Sequence, residues 1–409
     1  MKKIAIISTG SELMYGNVHE ANCHFISSKL FCTDFRVILH ITVGDEIEEL
    51  EYAVKEAVKK ADIAIITGGL GPTDDDHTLN ILQGIYNFET VLYEPGRKKM
   101  EEIFKSINRT VSASDLRQVT VPKNAVIFDN DVGLASGFAY TENKSTIIAM
   151  PGVPSEMKNM FENKVLPYLQ QKYSSETKKS LTIRTVLIRE AEVNNLLKDM
   201  NIEFDNIVWG ITTEWGMNTV TFVQKGNLEF PADKIYKESI RIFGDCLLSQ
   251  ESLNLETDLV YLLKEKKMTL SIAESCTGGL AAKRITDVPG SSEVFLGGVI
   301  AYNNSAKKKM LDVSEDSLNN YGAVSEAVAK EMAIGVRDKF NSSISISITG
   351  IAGPSGGSVE KPVGTVCFGF ATSNRIESFT KEIASFRERV RSFSSQHALD
   401  HVRQFLKKL

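Results

Sequence analysis

Short apolar runs alternate with amphipathic stretches along the first 170 residues of the chain. Five of these runs are rich in β-branched residues, which is typical of buried strands. They are Ile4–Ser8, Val37–Thr42, Ile63–Thr67, Val126–Phe128 and Thr146–Ala149. Between them, Ile47–Val58 and Thr78–Ile85 carry apolar residues at helical spacing. The alternation predicts an α/β domain over residues 1–170, with a largely parallel sheet that helices cover on both faces.

The pattern changes after Gln170–Ser180, a polar stretch with the composition of a linker. Residues 178–250 show the order strand, helix, two strands and helix, which predicts a small α+β domain. Strand–helix alternation returns over residues 253–409 and predicts a second α/β domain. Three domains also agree with a length of 409 residues.

The stretch Ala273–Gly279 of the third domain is the first candidate site. An apolar run precedes it and an amphipathic segment follows, so it is expected to be a tight loop between a strand and a helix. Backbone N–H groups and the positive end of the helix would converge on a nucleophile there, either Ser275 or Cys276. Alternatively, Ser275 or Thr277 only caps the helix, and the glycines only allow close packing.

A nucleophilic Ser275 needs a base. Histidine is nearly excluded, because this half of the chain holds only His397 and His401, which a solvated face of the last predicted helix would explain. Lys307 remains, with Tyr302 as a relay or orienting group, since burial can lower the pKa of a lysine toward neutrality. However, two more lysines follow Lys307, and runs of lysine usually face solvent.

A second candidate site follows a predicted strand of the first domain. The stretch Thr67–Asp76 reads Thr-Gly-Gly-Leu-Gly-Pro-Thr-Asp-Asp-Asp. Its glycines could wrap a phosphate, and its carboxylates could hold a divalent metal that bridges that phosphate. Alternatively, Asp74–Asp76 only begin the next helix, where negative charge suits the dipole. The stretch matches neither a Walker loop nor a dinucleotide fingerprint.

Composition narrows the choice of partners. The chain has 47 basic and 52 acidic residues, a net charge of −5, and so offers no basic surface for a nucleic acid or an anionic membrane. No apolar stretch is long enough to cross a bilayer or to act as a signal peptide. The five cysteines are scattered and follow no metal-ligand spacing. We therefore expect reduced thiols in a cytoplasmic protein, without nucleic-acid or membrane partners.

Several motifs resemble the CinA family, competence/damage-inducible protein A. They are Thr67–Thr73, Asp75–Thr78 and Pro151–Met157 in the first domain, and Ala273–Gly279, Asp287–Ser292, Gly322–Ser325, Thr349–Pro354 and Lys361–Val366 in the third. The resemblance implies a first domain similar to molybdopterin-binding domains, a KH-like connector and a C-terminal domain like the PncC-type nicotinamide-nucleotide amidohydrolases. It also implies a homodimer. The connector lacks the Gly-x-x-Gly loop of RNA-binding KH domains, so we interpret it as a spacer.

By this resemblance the third domain hydrolyses nicotinamide mononucleotide to nicotinate mononucleotide and ammonia, without a cofactor. Ser275 is the implied nucleophile, and Tyr302 and Lys307 are the groups that activate it. The loop from Thr277 to Gly279 can supply donors for the oxyanion. The implied substrate contacts are Thr277, Gly278, Gly279, Thr349, Gly350, Gly353 and Arg387, with Arg387 near the phosphate. The family's usual Gly-Asp before this arginine is Ser385-Phe386 here.

For the first domain the resemblance implies a nucleotide site with metal-dependent ADP-ribose pyrophosphatase activity in some members. The implied phosphate contacts are Gly68, Gly69, Gly71 and Thr73, and Asp45, Asp75 or Asp76 would serve a divalent metal or water. The family's Asn-Pro-x-Gly-Thr-Ala-Pro-Gly loop corresponds to 130–137 here, which lacks two prolines and has Leu134 in place of the threonine. We therefore expect this activity to be weakened or absent.

Two other classes of function stay open at this point. The first domain could be a nucleotide- or pterin-binding regulator of the third without activity of its own. The whole chain could instead be an interaction protein of DNA uptake or repair.

Overall fold

The computed structural model describes residues 1–142, 145–226 and 229–409. They form two compact units, Met1–Lys179 and Ser180–Leu409. No helix among these residues combines the length and the apolar character needed to cross a membrane. The three domain ranges given above remain sequence-based predictions.

The first unit is a sheet with helices on both faces. Its strands are β1 Lys2–Thr9, β2 Phe35–Val43, β3 Ile63–Thr67, β4 Thr90–Leu92, β5 Thr120–Pro122, β6 Val126–Phe128, β7 Gly137–Glu142 and β8 Ser145–Met150. Its α-helices are α1 Ser11–Met14, α2 Asn22–Phe31, α3 Ile47–Lys60, α4 Thr78–Tyr86, α5 Glu94–Ser106, α6 Pro154–Met160 and α7 Leu166–Tyr173. A 3₁₀ turn covers Asp115–Val119, and a π turn at Phe161–Val165 joins α6 to α7.

The six-stranded sheet of this unit has the order β2-β1-β3-β8-β7-β6. Strands β2, β1, β3 and β8 run parallel, whereas β7 pairs antiparallel with β8 and with β6. One apolar cluster lies on each face, because the central strands are buried on both sides. The ends of β1 and β3 therefore bring Thr9 and Thr67 to one edge, where ligands of such sheets bind.

The second unit contains two sheets. Its strands are β9 Ser180–Val186, β10 Ile207–Glu214, β11 Met217–Gln224, β12 Leu270–Glu274, β13 Phe295–Ile300, β14 Ile344–Gly350, β15 Thr365–Thr372 and β16 Ile376–Glu382. Its α-helices are α8 Glu190–Lys198, α9 Ala232–Phe243, α10 Leu255–Glu265, α11 Leu280–Thr286, α12 Asn304–Leu311, α13 Glu315–Tyr321, α14 Glu326–Phe340 and α15 Arg387–Lys407. Single 3₁₀ turns cover Phe204–Asn206, Gly244–Cys246 and Ser291–Glu293.

Strands β10, β11 and β9 form a small antiparallel sheet, and the larger sheet has the order β13-β12-β14-β15-β16. Strand β12 is completely buried, since it pairs in parallel with both β13 and β14. The loop that follows β12 therefore begins at the centre of the sheet. The predicted α/β class is confirmed.

Candidate active site

Ser275 and Lys307 meet beneath the surface of the second unit. Ser275 follows β12, and its backbone N–H donates to the Ile348 carbonyl on the neighbouring strand (2.9 Å). Lys307 lies on α12, and its Nζ donates to the Ser275 Oγ at 3.0 Å and to the Ala301 carbonyl at 2.9 Å. Two fixed acceptors thus hold the amine against the hydroxyl.

Lys307 is only 1% exposed, whereas Lys308 and Lys309 face solvent. Burial lowers the pKa of Lys307, because the charged ammonium loses hydration that the uncharged amine does not need. The lysine run is therefore solvated except at the one residue that touches Ser275. The Ser275 hydroxyl therefore lies beside an amine that loses its proton at a lower pH than an ordinary lysine does.

Cys276 is placed differently from Ser275. Its side chain belongs to the apolar cluster that includes Leu259, Ile272 and Phe368. Burial raises the pKa of the Cys276 thiol to about 12, so the thiol stays protonated at neutral pH. A protonated, enclosed thiol is a poor nucleophile.

The backbone donors of the loop differ from the prediction. The Gly279 N–H donates to the Glu274 carboxylate (2.9 Å), and the Gly278 N–H donates to the Ser275 carbonyl (3.1 Å). Neither amide is therefore free to bind an oxyanion in this structure, and a contact of these glycines with the substrate stays a prediction. Both have positive φ, 60° and 94°, and so allow the turn after Ser275. In the described part of the chain, the Thr277 amide has no protein acceptor, and the Cys276 amide contacts only its own thiol.

Glu274 explains why the start of α11 is not an open anion site. Its carboxylate accepts hydrogen bonds from the N–H groups of Gly279, Ala281 (3.1 Å) and Ala282 (2.8 Å). A side chain at the end of β12 therefore satisfies the amides at the start of the helix, where the positive end of the dipole lies. The predicted convergence of helix N–H groups on the nucleophile is thus replaced by an internal cap.

Thr277 is fully buried, and its Oγ has no hydrogen-bond partner in the described residues. Its carbonyl accepts a hydrogen bond from Arg391 Nη2 (2.7 Å) on α15. The unpartnered hydroxyl and the free amide place two unused donors directly after the candidate nucleophile.

Tyr302 does not contact Ser275 or Lys307 through a hydrogen bond in the described structure. Its side chain is 62% exposed, and its hydroxyl accepts from Arg387 Nη2 (3.1 Å). The structure thus shows a contact of the Tyr302 hydroxyl with the arginine and none with the nucleophile, and a role of Tyr302 as a relay or orienting group stays a prediction. Its chain neighbour Ala301 is the residue that holds the lysine amine.

Arg387 joins the remaining predicted contacts. Its Nη1 donates to the Gly353 carbonyl (2.7 Å), and no carboxylate among the described residues forms an ion pair with it. Thr349 is buried, and its hydroxyl donates to the Ala323 carbonyl (2.8 Å). Gly350 ends β14 and pairs with Val366. The guanidinium at the start of α15 is thus the group here that can bind an anion.

The two histidines of this unit lie against the sheet and do not form a solvated face. The His397 ring packs edge-on against Phe368, and burial lowers the pKa of His397 to about 4. His401 contacts Phe370 and bonds Glu377 (2.7 Å). Both are engaged away from Ser275, which agrees with their exclusion as bases.

The candidate site of the first unit is a pocket of about 560 Å³ at the ends of β1 and β3. All of the residues predicted for this site line it: Asp45, Gly68, Gly69, Gly71, Thr73, Asp75 and Asp76. Gly68 and Gly69 have φ of 108° and 67°, and a Cβ at Gly69 would lie 2.2 Å from the Thr78 Oγ. Glycine is therefore required where the chain turns toward Thr78.

The carboxylates of this pocket have internal partners. Asp76 accepts from the Thr73 N–H (2.8 Å) and hydroxyl (2.6 Å), and Asp45 accepts from the Ser11 N–H (2.8 Å). No group of three or more His, Cys, Asp or Glu side chains suited to a metal occurs in the described residues. The three predicted aspartates therefore do not form one preformed metal cluster.

The pocket is nevertheless strongly acidic. Five of its lining residues are Asp or Glu, with Glu12 and Glu156 beside the three aspartates, and the lining described includes no Lys, Arg or His. Leu134 packs against Met100 and Phe104 and is absent from the lining. A phosphate would therefore be repelled here unless a cation accompanied it.

Comparisons with known proteins cover both units. Residues 252–406 match the CinA C-terminal domain, and residues 5–171 match the probable molybdopterin binding domain. A competence-damage inducible protein of Caldanaerobacter subterraneus subsp. tengcongensis is 36% identical over 404 residues, which is 98% of each chain. This chain belongs to the CinA family.

Two further relatives of this CinA chain were found. A CinA-like protein of Geotalea uraniireducens is 36% identical over 417 residues, covering 99% of this chain and 97% of the relative. The crystal structure of the competence/damage inducible protein CihA from Agrobacterium tumefaciens is 35% identical, with a TM-score of 0.36, and covers 37% of this chain and 93% of that chain.

Sequence reasoning assigned no role in the site to Glu274 or Arg391 of this CinA chain. An acidic residue just before a predicted helix is a signal for a helix cap, but its position inside a buried strand concealed that role. Arg391 lies four residues after Arg387, and this spacing places both on one face of a helix. That spacing could have indicated that Arg391 lies near the site together with Arg387, and Arg391 is the one that contacts the nucleophile loop, Ser275–Gly279.

Proposed function

We propose that this CinA protein is an amidohydrolase that converts nicotinamide mononucleotide and water to nicotinate mononucleotide and ammonia. The observation that carries the proposal is the buried contact between Lys307 Nζ and Ser275 Oγ at 3.0 Å. The family resemblance supplies the substrate. The chemistry needs a nucleophile, donors for an oxyanion and a proton for the departing amine. The loop after β12 offers the first two, and Lys307 on α12 offers the third.

In the first step, uncharged Lys307 accepts the Ser275 proton while the Ser275 oxygen attacks the amide carbon. The lowered pKa of Lys307 favours the uncharged amine at the start of the cycle. The Ala301 carbonyl keeps the amine in place as it becomes an ammonium. No histidine is needed for this transfer.

In the second step, the carbonyl oxygen carries the negative charge of the tetrahedral intermediate. The amides of Cys276 and Thr277, which donate to no other residue in the described structure, are the donors that we assign to it. Lys307 then returns the proton to the amide nitrogen, and the C–N bond breaks to release ammonia. Lys307 next takes a proton from water, whose oxygen attacks the carbonyl carbon of the Ser275 ester. The bond between that carbon and the Ser275 oxygen breaks, Lys307 returns the proton to the Ser275 oxygen, and the acid product leaves as its carboxylate.

Arg387 is assigned to the phosphate of the substrate. Its guanidinium presents a fork of donors that suits phosphate oxygens, and its present acceptors are a carbonyl and a tyrosine hydroxyl. Both are neutral groups that an anionic phosphate can displace.

For the first unit we propose a nucleotide phosphate site that depends on a divalent cation. The acidic lining supports this, because Mg²⁺ is commonly held by one or two carboxylates together with substrate phosphates. One or two of Asp45, Asp75 and Asp76 would hold the cation, which would neutralise the phosphates. Weak ADP-ribose hydrolysis or binding alone are the two outcomes that we expect. A cytoplasmic homodimer remains part of this proposal.

The proposal is tested by ammonia release from the full-length protein. Nicotinamide mononucleotide, nicotinamide riboside and nicotinamide are compared at equal concentration with the wild-type protein and Arg387→Ala. We expect turnover of the mononucleotide, with a preference over the riboside that the variant loses. Absence of ammonia release from all three would contradict the amidohydrolase proposal and favour an interaction protein.

A further inference from the structure

The small sheet of the second unit contacts α15, one of the helices that hold the nucleophile loop in place. The turn Trp215–Gly216 joins β10 to β11, and Gly216 lies against α15. A Cβ on Gly216, whose φ is 81°, would lie 3.0 Å from the Phe393 ring. The turn is therefore shaped to approach this helix closely, and a side chain at Gly216 would push it away.

Gln396 connects this turn to α15. It is 2% exposed, and its Nε2 donates to the Gly216 carbonyl at 3.1 Å. Its Oε1 accepts from Arg284 Nη2 on α11 at 3.3 Å. One buried amide thus joins the turn to the helix that begins at the nucleophile loop.

Arg284 fixes α11 from several sides. Its guanidinium donates to the Ser395 hydroxyl (2.7 Å) and forms an ion pair with Glu256 on α10. The side chain is 17% exposed, so this pair is little screened by solvent. Arg284 lies one helical turn after Leu280, where α11 begins directly after the loop.

The opposite side of the loop is held by α15 itself. Arg391 donates to the Thr277 carbonyl at 2.7 Å, and it lies five residues before Gln396 on the same helix. The position of α15 therefore fixes the loop through Arg391 directly and through Arg284 by way of α11. A group that fixes α15 near Gln396 therefore affects both the contact of Arg391 with the loop and the contact of α15 with Arg284.

One end of the small sheet also reaches the apolar core of the larger sheet. Val186 belongs to the cluster that contains Cys276, and Leu187 and Met217 pack against that cluster. The Gly216 carbonyl accepts a second hydrogen bond from the Leu187 N–H (2.9 Å). The turn is thus fixed to its own sheet as well as to Gln396.

We propose that the turn Trp215–Gly216 positions the nucleophile loop, with Gln396 as the positioning residue that transmits the contact to α11 and α15. The connector is then part of the machinery of the active site as well as a spacer. Gln396 touches neither Ser275 nor Lys307, so it acts through the orientation of the loop. The catalytic part of this inference rests on the proposed amidohydrolase function, whereas the structural part does not.

The test compares two isosteric variants of the full chain, Gln396→Met and Gln404→Met. Gln404 is a matched control, because it lies on α15 and its Nε2 donates to the connector carbonyl of Asp245 (2.7 Å). It lies eight residues, about 12 Å, further along the helix from the loop. Both variants lose one contact to the connector, but only Gln396→Met loses the link to Arg284.

Hydrogen exchange gives the readout that does not need turnover. The Gly278 and Gly279 amides are hydrogen-bonded, so their exchange reports opening of the loop. We expect faster exchange in peptides covering Ser275–Leu280 for Gln396→Met and wild-type exchange there for Gln404→Met. Unchanged exchange for Gln396→Met, or equal changes in both variants, would overturn the proposal.

Steady-state kinetics give the second readout. We expect kcat for nicotinamide mononucleotide to fall about ten-fold in Gln396→Met, with KM within about two-fold of wild type, because orientation is lost but no substrate contact is. Gln404→Met should retain the wild-type kcat. If the wild-type protein releases no ammonia, the proposed function fails, and the exchange comparison still decides the role of the turn.

Discussion

At the scale of single residues, the main feature is a lysine that is buried without a carboxylate partner. Lys307 donates to one hydroxyl and one carbonyl, and in the described structure no acidic side chain pairs with it. An ammonium in this position is costly, since neutral acceptors replace only part of its hydration. Burial of Lys307 therefore lowers the stability of the folded protein, at the position where an uncharged amine can act as a base.

We predict that Lys307→Met abolishes ammonia release and raises the free energy of unfolding at pH 7 by about 1 kcal/mol. The folded state lowers the pKa of Lys307 from its ordinary value of 10.5, so the unfolded state binds more protons between the two values. Stability of the wild-type protein therefore rises with pH across this window. The advantage of the variant should shrink as the pH approaches 10.5. Denaturant titrations at pH 7 and 10 measure it, and a variant less stable at pH 7 would contradict the account.

The role of Tyr302 in holding Arg387 can be tested separately from a role in proton transfer. Its hydroxyl contacts Arg387 and not the nucleophile, so Tyr302→Phe removes only support for that guanidinium. We predict that kcat and its pH profile stay near wild type while KM for nicotinamide mononucleotide rises about two- to five-fold. If the variant instead turned over about 100-fold more slowly at saturating substrate, Tyr302 would be a proton relay.

At the scale of elements, the nucleophile loop is held by what precedes and follows it. Strand β12 fixes Ser275 at its end, and Glu274 caps α11 across the loop. The Glu274 carboxylate joins the two ends of the loop, because it precedes the loop and accepts three N–H groups from residues at the loop's end and the start of α11. The geometry of the nucleophile therefore depends on a residue that lies outside the reacting groups.

We predict that Glu274→Gln destabilises the protein by about 1–2 kcal/mol and lowers kcat, since one amide oxygen cannot accept what a carboxylate does. Ser314→Ala is the control. Ser314 caps α13 by accepting from the Ser317 N–H (3.1 Å), and its loss should cost about 1 kcal/mol with no change in kcat. Thermal unfolding and ammonia release on both variants give the answer. Equal effects on kcat would mean that Glu274 acts only through global stability.

The elements themselves could largely be predicted from apolar periodicity. Strand β3 was predicted at its observed bounds, Ile63–Thr67, and α3 and α4 were predicted within two residues of theirs. Strand β7 was missed because Gly137–Glu142 mixes apolar and polar residues, and its strand form depends on pairing with β8. The ends of a strand cannot be predicted from the local pattern of apolar residues when pairing with a neighbouring strand determines them.

The site could be predicted less completely, for a physical reason. Ser275, Lys307 and Arg387 are at the site, because nucleophile, base and anion ligand are residue types that chemistry restricts. The partners of the loop amides could not be predicted, since backbone hydrogen bonds depend on which acceptor lies nearby, and the Glu274 carboxylate accepts from Gly279. The partner of Tyr302 could not be predicted for the same reason, because its hydroxyl accepts from Arg387, which is distant in sequence.

At the scale of the whole molecule, the two units carry sites of opposite electrostatic character. The site beside Ser275 offers the guanidinium of Arg387, whereas the pocket of the first unit is lined by five carboxylates. Both would receive phosphorylated nucleotides under our proposal. The phosphate charge would therefore be neutralised by an arginine in the second unit and by a metal cation in the first.

We predict that ADP-ribose binds the full-length protein only when a divalent cation is present. Calorimetry with Mg²⁺ should show binding that excess EDTA abolishes and that Asp76→Asn weakens about ten-fold or more, because phosphate and carboxylates repel without the cation. Ser275→Ala serves as the control, since it lies in the other unit and should bind ADP-ribose like the wild type. Equal affinity with and without metal would refute a cation-dependent site.

The most direct test of the central claim compares Ser275→Ala with Cys276→Ala in the ammonia-release assay on nicotinamide mononucleotide. Ser275 touches the buried amine, whereas the Cys276 thiol lies in the apolar core with its pKa raised to about 12. We predict that Ser275→Ala loses at least about 1,000-fold in kcat, while Cys276→Ala keeps kcat within about five-fold. Turnover that survives Ser275→Ala, or that disappears only in a folded Cys276→Ala protein, would contradict the serine–lysine mechanism.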